Sequence, residues 1–417
     1  MTPHFDALEI RDPAEREREL FERLPRFLSE AVTKAEGLAE WLAGIDLSAV
    51  TDRARLARLP VLRKPELLTR QMARPPFGGF VNPDALEGAR VFVSPGPIWE
   101  IEGGGADPWQ AARAFFAAGV RPGARVHNAL AYHLTPGGFV LDTGARALGC
   151  TVLPAGTGNT DIQVEAAAVF RPDVFAGTPD FLKLMLDRAD QAGKDLSSFR
   201  IGLVSGGALF PSLREEYRRR GITVLQCYAT AEFGVIAYET ATADGEPLPG
   251  MVINENLIVE IVRPGTDDPV QEGEVGELVV TSLNPAYPLV RFGTGDLSAI
   301  LPGQSPCGRT NMRIKGWMGR ADQRTKIKGM FVDPKQIDEL TKREAGIDRA
   351  RLVVTRKGAN DAMELHVEPV EGVALDTGAV EASLRDITKI TGRVLVVARG
   401  SLPRDGKVIA DERDYSD

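Results

Sequence analysis

IGLVSGGALFPSLREEYRRRGITVLQCYATAEFG, residues 201–234, reads as strand, glycine turn, helix, strand and a closing polar motif. The apolar run at 201–204 ends in Ser205-Gly206-Gly207-Ala208, and a helix-like run opens near Pro211. A strand that feeds a helix through a tight glycine turn is the unit of a parallel α/β sheet. The same alternation extends outward over about residues 90–240. RVFVS, ARVHNAL, CTVLPAG and VFAG read as strands, while PWQAARAFFAAG, GFVLDTGARALG, IQVEAAAVF and PDFLKLMLDRADQAG read as helices. The fold class expected is therefore α/β. Ligands of such sheets bind at the carboxyl ends of the strands. SPGP at 94–97, PAGTGNT at 154–160, SGGA at 205–208 and YATAE at 228–232 are all expected there.

Further out, the pattern changes. MVINENLIVEIVRPG, GEVGELVVTSL and YPLVRFGTGDLSAI are β-rich and turn-bounded, which predicts a smaller antiparallel sheet or barrel over about 250–300. ARLVVTRKG, MELHVEPV, VEASLRDITKITG and RVLVVARG suggest a separate small α+β domain. The boundary is expected near Gly319 to Asp322, dividing the chain into 1–320 and 321–417. At the other end, residues 13–42 carry helical periodicity with dense Arg/Glu pairing, as one or two amphipathic helices would.

Composition narrows the function. The chain has 417 residues, enough for two or three domains, and carries a net charge of -8. Its basic residues are interleaved with acidic ones, so no nucleic-acid partner is expected. Cys150, Cys227 and Cys307 are far apart, and the four histidines form no ligand pair, which disfavours a disulfide framework or a structural zinc. The N-terminal stretch is charged and lacks the apolar core of a signal peptide. No apolar run approaches membrane-spanning length. A reducing cytoplasm is the expected setting, with no membrane partner.

Chemistry-bearing residues gather in five short motifs. Glycines at a strand end let a flat base approach the backbone, although an ordinary tight turn needs them as well. In YATAE, Tyr228 can stack on a base, Thr230 can donate to a phosphate and Glu232 can hold Mg²⁺. In the Tyr287–Pro334 stretch, Asp296 of TGD is a candidate for ribose hydroxyls, and Arg320 of GRAD for a phosphate. Asp322 follows as a hinge candidate. Lys407 stands in PRDGK near the C-terminus, where a lysine by itself would be a solvated surface group.

The ordered set SGGA, YATAE, TGD, GRAD and PRDGK resembles the adenylate-forming superfamily of acyl-CoA synthetases, luciferases and peptide-synthetase adenylation domains. Within it the chain looks most like the phenylacetate–CoA ligase family. AYHLTPGGFVLDTGARALGCTVLPAGTGNT, VFAGTPDFLKLML, YPLVRFGTGDL, CGRT at 307–310 and KIKGMFVDPKQI are similar to segments of that branch. The likeness runs from about residue 60 to the end.

The resemblance implies a large N-terminal domain with a small mobile C-terminal one, and a two-step reaction. A small aromatic or acyl carboxylate takes AMP from ATP, and coenzyme A then displaces it. By the same likeness, Glu232 holds Mg²⁺, Tyr228 and Ala229 pack on adenine, and Gly206, Gly207 and Ala208 line its pocket. Asp296 binds ribose, Arg320 binds ribose or phosphate, Asp322 is the hinge, and Lys407 acts with Glu232 and Thr230 in catalysis. Tyr132, His133 and Gly137 fall in the acyl-pocket segment. The family also leaves a homodimer open.

Two departures stand out. The superfamily's phosphate loop is rich in Ser, Thr and Gly and carries a lysine. Here VFVSPGPIWEIEGGG keeps only Ser94 and Gly96 of that character, and places Glu100 and Glu102 where phosphates would approach. Either another basic group substitutes, or ATP use is altered. CGRT also lacks the second cysteine of the family pattern, so no zinc is expected there. Two alternatives therefore stay open. One is adenylation with an amine or carrier-protein acceptor. The other is a nucleotide- or acyl-CoA-binding protein that has lost adenylation.

Overall fold

The computed structural model describes residues 4–94, 96–263, 266–321, 325–328, 330–357, 360–403 and 408–413. Lys407 and Asp322 lie outside these. The chain divides into two compact units, Met1–Met318 and Gly319–Asp417.

The first unit is built on a nine-stranded sheet. Thr151–Pro154, Arg125–Asn128, Val174–Gly177, Ile201–Val204 and Thr223–Thr230 lie side by side and run parallel. Four helices of the expected alternation follow: Gly137–Ala147, Thr160–Phe170, Pro179–Ala192 and Pro211–Arg219. Helices on both faces require apolar strands, and Val174–Gly177 is buried at every residue. Past Thr230 the sheet turns antiparallel through Gly234–Tyr238, Met251–Ile253, Arg313–Ile314 and Ile300–Leu301.

Residues 250–300 depart from the single sheet expected of them. Met251–Ile253 joins the large sheet, while Leu257–Val262, Gly276–Ser282 and Phe292–Ser298 form a second, four-stranded one. Its fourth strand, Leu62–Arg63, comes from far upstream and pairs in parallel with Phe292 and Gly293. Pairing over that sequence distance leaves no local periodicity to read. The N-terminal helix Pro13–Lys34 buries Leu20, Phe21, Leu24 and Leu28 in a core shared with Ile258, Val280 and Phe292.

RVFVS also departs from expectation. Val91–Ser94 pairs antiparallel with Ile98–Ile101 as a separate two-stranded hairpin, outside the parallel sheet. Ser94 therefore stands at a hairpin end and not at the mouth of a βα unit. An apolar alternating run reads alike in both settings, and only pairing separates them.

Arg291 is the largest fully buried side chain of this unit. Its guanidinium pairs with Glu260 at 3.0 Å and donates to the carbonyls of Ala57, Leu59 and Asp267. With all its reach spent on the core, Arg291 is a structural cation and not a phosphate ligand. Arg291→Met strands the Glu260 carboxylate, and urea unfolding should show a loss of about 3–5 kcal/mol. A loss under about 1 kcal/mol would show that the pair is dispensable.

The second unit carries a four-stranded sheet in the order Arg393–Val396, Asn360–Pro369, Ile347–Lys357, Ile409–Asp411. The central pair is antiparallel and each outer strand is parallel to its neighbour. Helices Pro334–Arg343 and Thr377–Thr388 supply Ile337, Leu340, Val380 and Leu384 to its core, opposite Leu352, Val354, Leu365 and Val367. Arg320 falls within the opening residues of this unit.

Candidate active site

The strand Thr223–Thr230 carries Tyr228 and Thr230 at its carboxyl end, and Glu232 sits in the turn that reverses into Gly234–Tyr238. Gly234 makes that reversal possible. Its φ is +68°, and a Cβ there would stand 2.2 Å from Cβ of Trp109. Beside it, the turn after Ile201–Val204 uses Gly206 at φ +71°. Gln226 Nε2 donates to Gly207 O at 2.9 Å, tying the SGGA turn to the next strand. The fold thus brings the two motifs together, as adjacent parallel strands require.

The ribose candidate meets the adenine candidate. Tyr228 donates its hydroxyl to Asp296 Oδ2 at 2.6 Å, and Trp317 Nε1 donates to Oδ1 at 3.0 Å. Asp296, Tyr228 and Trp317 are each half-buried. Tyr228 and Asp296 are 68 residues apart in sequence, and only the tertiary fold joins them.

A second cluster surrounds Glu232, whose side chain is fully buried and pairs with Lys64 Nζ at 2.9 Å. Burial pushes the Glu232 carboxyl up, but the Lys64 charge and hydrogen bond, its own backbone N–H and the Thr230 hydroxyl outweigh that, so it titrates below its ordinary value. Apart from the contacts with Lys64, Thr230 and its own backbone N–H, the buried Glu232 carboxylate has no further hydrogen-bond partner among the described residues.

Glu100 reaches the same cluster from the hairpin. Ser94 Oγ donates to Glu100 Oε1 at 2.9 Å, and Glu100 Oε2 is buried without a partner. Burial first, then the neighbouring Glu232 charge, raise the Glu100 carboxyl well above its ordinary range, against the pull of Ser94 and Lys64. The Tyr287 phenol is pushed up by burial and by both carboxylates. One ammonium cannot neutralise two buried carboxylates, so the cluster favours ionised Glu232 beside Lys64 and a neutral Glu100.

Lys64 opens the helix Lys64–Ala73, which begins directly after the strand Leu62–Arg63. Gln71 of that helix bonds both the N–H and the carbonyl of Trp99, so helix and hairpin are held together. No sequence motif pointed to Lys64. The available signal was electrostatic: a buried Glu232 demands a cation, and the 91–105 segment contains no lysine.

The remaining candidates are dispersed. Tyr132 accepts a hydrogen bond from Asn128 Nδ2 at 2.7 Å and lines an open hollow of about 650 Å³ with Phe139, Asp142 and Arg146. Gly137 begins the helix behind it, whereas His133 is exposed. Ala208 and Ala229 are half-buried next to the SGGA and YATAE backbones. Glu102 pairs with Arg90 at 2.8 Å.

CGRT is a clasp for the N-terminal segment. Arg309 pairs with the buried Glu9 at 2.9 Å, Tyr238 donates to the same carboxylate, and Thr310 N bonds Glu9 O. Burial pushes the Cys307 thiol up, but contacts from Ser305 and Arg309 outweigh it and leave the thiol below its usual value. Among the described residues no group of three or more His, Cys, Asp or Glu is placed to hold a metal, and no helix is long and apolar enough to cross a membrane.

The AMP-binding enzyme family profile matches residues 111–286. The phenylacetate-coenzyme A ligase of Thermus thermophilus is 30% identical over 93% of each chain. That of Pseudomonas putida is 33% identical over 71% of this chain and 70% of its own. Among solved structures, 2-hydroxyisobutyryl-CoA ligase in complex with 2-HIB-AMP and CoA superposes with a TM-score of 0.76. It is 26% identical and the match covers 98% of this chain and 92% of that one. With a likeness that spans nearly its whole length, the chain belongs to the phenylacetate-coenzyme A ligase family.

Proposed function

We propose that this protein is an AMP-forming acid–coenzyme A ligase. The observation that carries the reading is the meeting of Tyr228 with Asp296, four residues from the buried Glu232. It sets Tyr228, the base-stacking candidate, beside Asp296, the ribose candidate on another strand, with the phosphate-side candidate Glu232 in the turn that follows Tyr228. In the first half-reaction a carboxylate oxygen of the acid attacks the α-phosphorus of ATP, and pyrophosphate leaves with the bridging electron pair. In the second, the thiolate sulfur of coenzyme A attacks the acyl carbon and AMP departs.

Tyr228 and Ala229, with Gly206, Gly207 and Ala208, bound the adenine pocket, and Asp296 accepts the ribose hydroxyls. Glu232 and Thr230 are the residues that fit Mg²⁺. Hard oxygen donors with few hydrogen-bond partners suit a small divalent cation. Such an ion, when bound, neutralises charge on the phosphate oxygens. Lys64 stands on the same side and supplies the ammonium that the 91–105 segment lacks. Its side chain is 32% exposed on a flexible stem, so it can exchange Glu232 for a phosphate oxygen. Arg320, the hinge at Asp322 and Lys407 are assigned to the small unit's part in the cycle, by likeness to the family. Tyr132, His133 and Gly137 are assigned to the acyl side on the same ground. Three free cysteines suit a cytoplasmic setting, and a homodimer is the assembly the family suggests.

The acid is of the aromatic or small acyl class. The named relatives are phenylacetate ligases, and the superposed structure holds a 2-hydroxyisobutyryl adenylate. A panel of such acids, assayed for ATP–pyrophosphate exchange with and without coenzyme A, tests the proposal. Exchange with at least one acid, and thioester only when coenzyme A is present, is expected. AMP binding with no exchange from any acid sinks it. That outcome would favour the second reading, a nucleotide-binding homologue without adenylation, which the buried Glu100 in place of loop hydroxyls and lysine supports.

A further inference from the structure

Trp317 belongs to none of the motifs, yet its indole N–H donates to the Asp296 carboxylate, as the Tyr228 hydroxyl does. The segment that carries it is stitched to the strand holding Asp296. Lys315 N bonds Ala299 O at 2.9 Å, Ser298 Oγ bonds Gly316 O at 2.7 Å, and Met318 N bonds Leu297 O at 2.9 Å. Thr294 Oγ1 accepts from Asp296 N and donates to Leu278 O, so the backbone beneath the carboxylate is held too.

An indole nitrogen donates only, so Trp317 can serve Asp296 as donor and in no other way. Each carboxylate oxygen has two lone pairs. Tyr228 donates to Oδ2 and Trp317 to Oδ1, so each side chain fixes one oxygen of the carboxylate. A short carboxylate side chain in a half-buried site would otherwise sample several rotamers, and freezing them on binding costs affinity.

We propose that Trp317 is a positioning residue that pre-orients Asp296 and thereby sets the enzyme's preference for a ribonucleotide over a sugar without 2′ and 3′ hydroxyls. The inference rests on the reading of Asp296 as the ribose ligand. It assigns to this chain's own tryptophan the geometry that makes that ligand selective.

The test uses the full chain and its Trp317→Phe form, which keeps the apolar ring and removes the donor. AMP and 2′,3′-dideoxyadenosine monophosphate are titrated calorimetrically. Wild type is expected to prefer AMP. In Trp317→Phe, AMP should weaken about five- to tenfold, the net worth of one ordinary hydrogen bond, and the dideoxy nucleotide by less than about twofold. KM for ATP should rise with kcat nearly unchanged. Equal weakening of both nucleotides, or of neither, overturns the proposal. If wild type itself fails to distinguish the two, the ribose role of Asp296 is wrong and the inference falls with it. A second readout needs no variant. AMP should move the Trp317 indole ¹H–¹⁵N resonance and the dideoxy nucleotide should not, and a resonance indifferent to AMP also overturns the proposal.

Discussion

Glu232→Gln is expected to lower acid-dependent ATP–pyrophosphate exchange by about 100- to 1,000-fold, the scale of losing one preorganised electrostatic group at a reacting centre. The amide keeps the size of the carboxylate but gives up its charge. A divalent cation then loses its anionic anchor, and Lys64 loses the partner at 2.9 Å. The variant should still fold. Glu100 is within electrostatic reach of Lys64 and can ionise in place of Glu232, so the ammonium is not left unpaired in the interior. Thermal unfolding within a few degrees of wild type, with exchange lost and Mn²⁺ affinity in the presence of ATP weakened, is the expected pattern. Undiminished exchange would remove Glu232 from the chemistry and leave Lys64–Glu232 as a structural pair.

The second large effect should separate the two half-reactions. Lys407→Ala should reduce adenylate formation by about 100-fold or more, while thioester formation from supplied acyl-adenylate and coenzyme A stays close to wild type. The physical reason is when the charge is needed. Negative charge builds on the α-phosphate oxygens and the attacking carboxylate only while the adenylate forms. An ammonium that acts there has no role once the acyl carbon is attacked by sulfur. Lys407 lies outside the described residues, so its role comes from the PRDGK likeness alone. Stopped assays of each half-reaction decide it: an equal loss in both, or in neither, contradicts the assignment.

The reach of the sequence can be judged residue by residue. SGGA and YATAE were legible as neighbours because consecutive parallel strands with short helical crossovers have few arrangements open to them. The α/β class followed from the same alternation. Asp296 stood out as a ribose candidate by its turn motif, but its bond to Tyr228 was not legible, since nothing local links positions 68 residues apart. Arg291 lies close to that motif, and the fold gives it to Glu260 and three carbonyls. RVFVS could be a parallel strand or half a hairpin, because alternation records the burial of faces and not the identity of the partner. His133 was a candidate for the acyl side on its position after Tyr132, and it is exposed. Lys64 and Trp317 belong to no sequence motif. Each meets its carboxylate through a side-chain contact that only the fold creates.

By itself the sequence determined the alternation of strands and helices in the parallel sheet and the residue types able to handle a nucleotide. Those properties depend on local periodicity, on the freedom of glycine and on side-chain chemistry, all of which are written in short windows. The tertiary structure alone decided which groups meet: Lys64 with Glu232, Glu100 buried beside them with its carboxyl pushed up, and Asp296 with Tyr228 and Trp317. In a low-dielectric interior the state of a carboxylate depends on whichever cation or donor comes within a few ångströms. That proximity is set by long-range pairing, which no window of sequence contains.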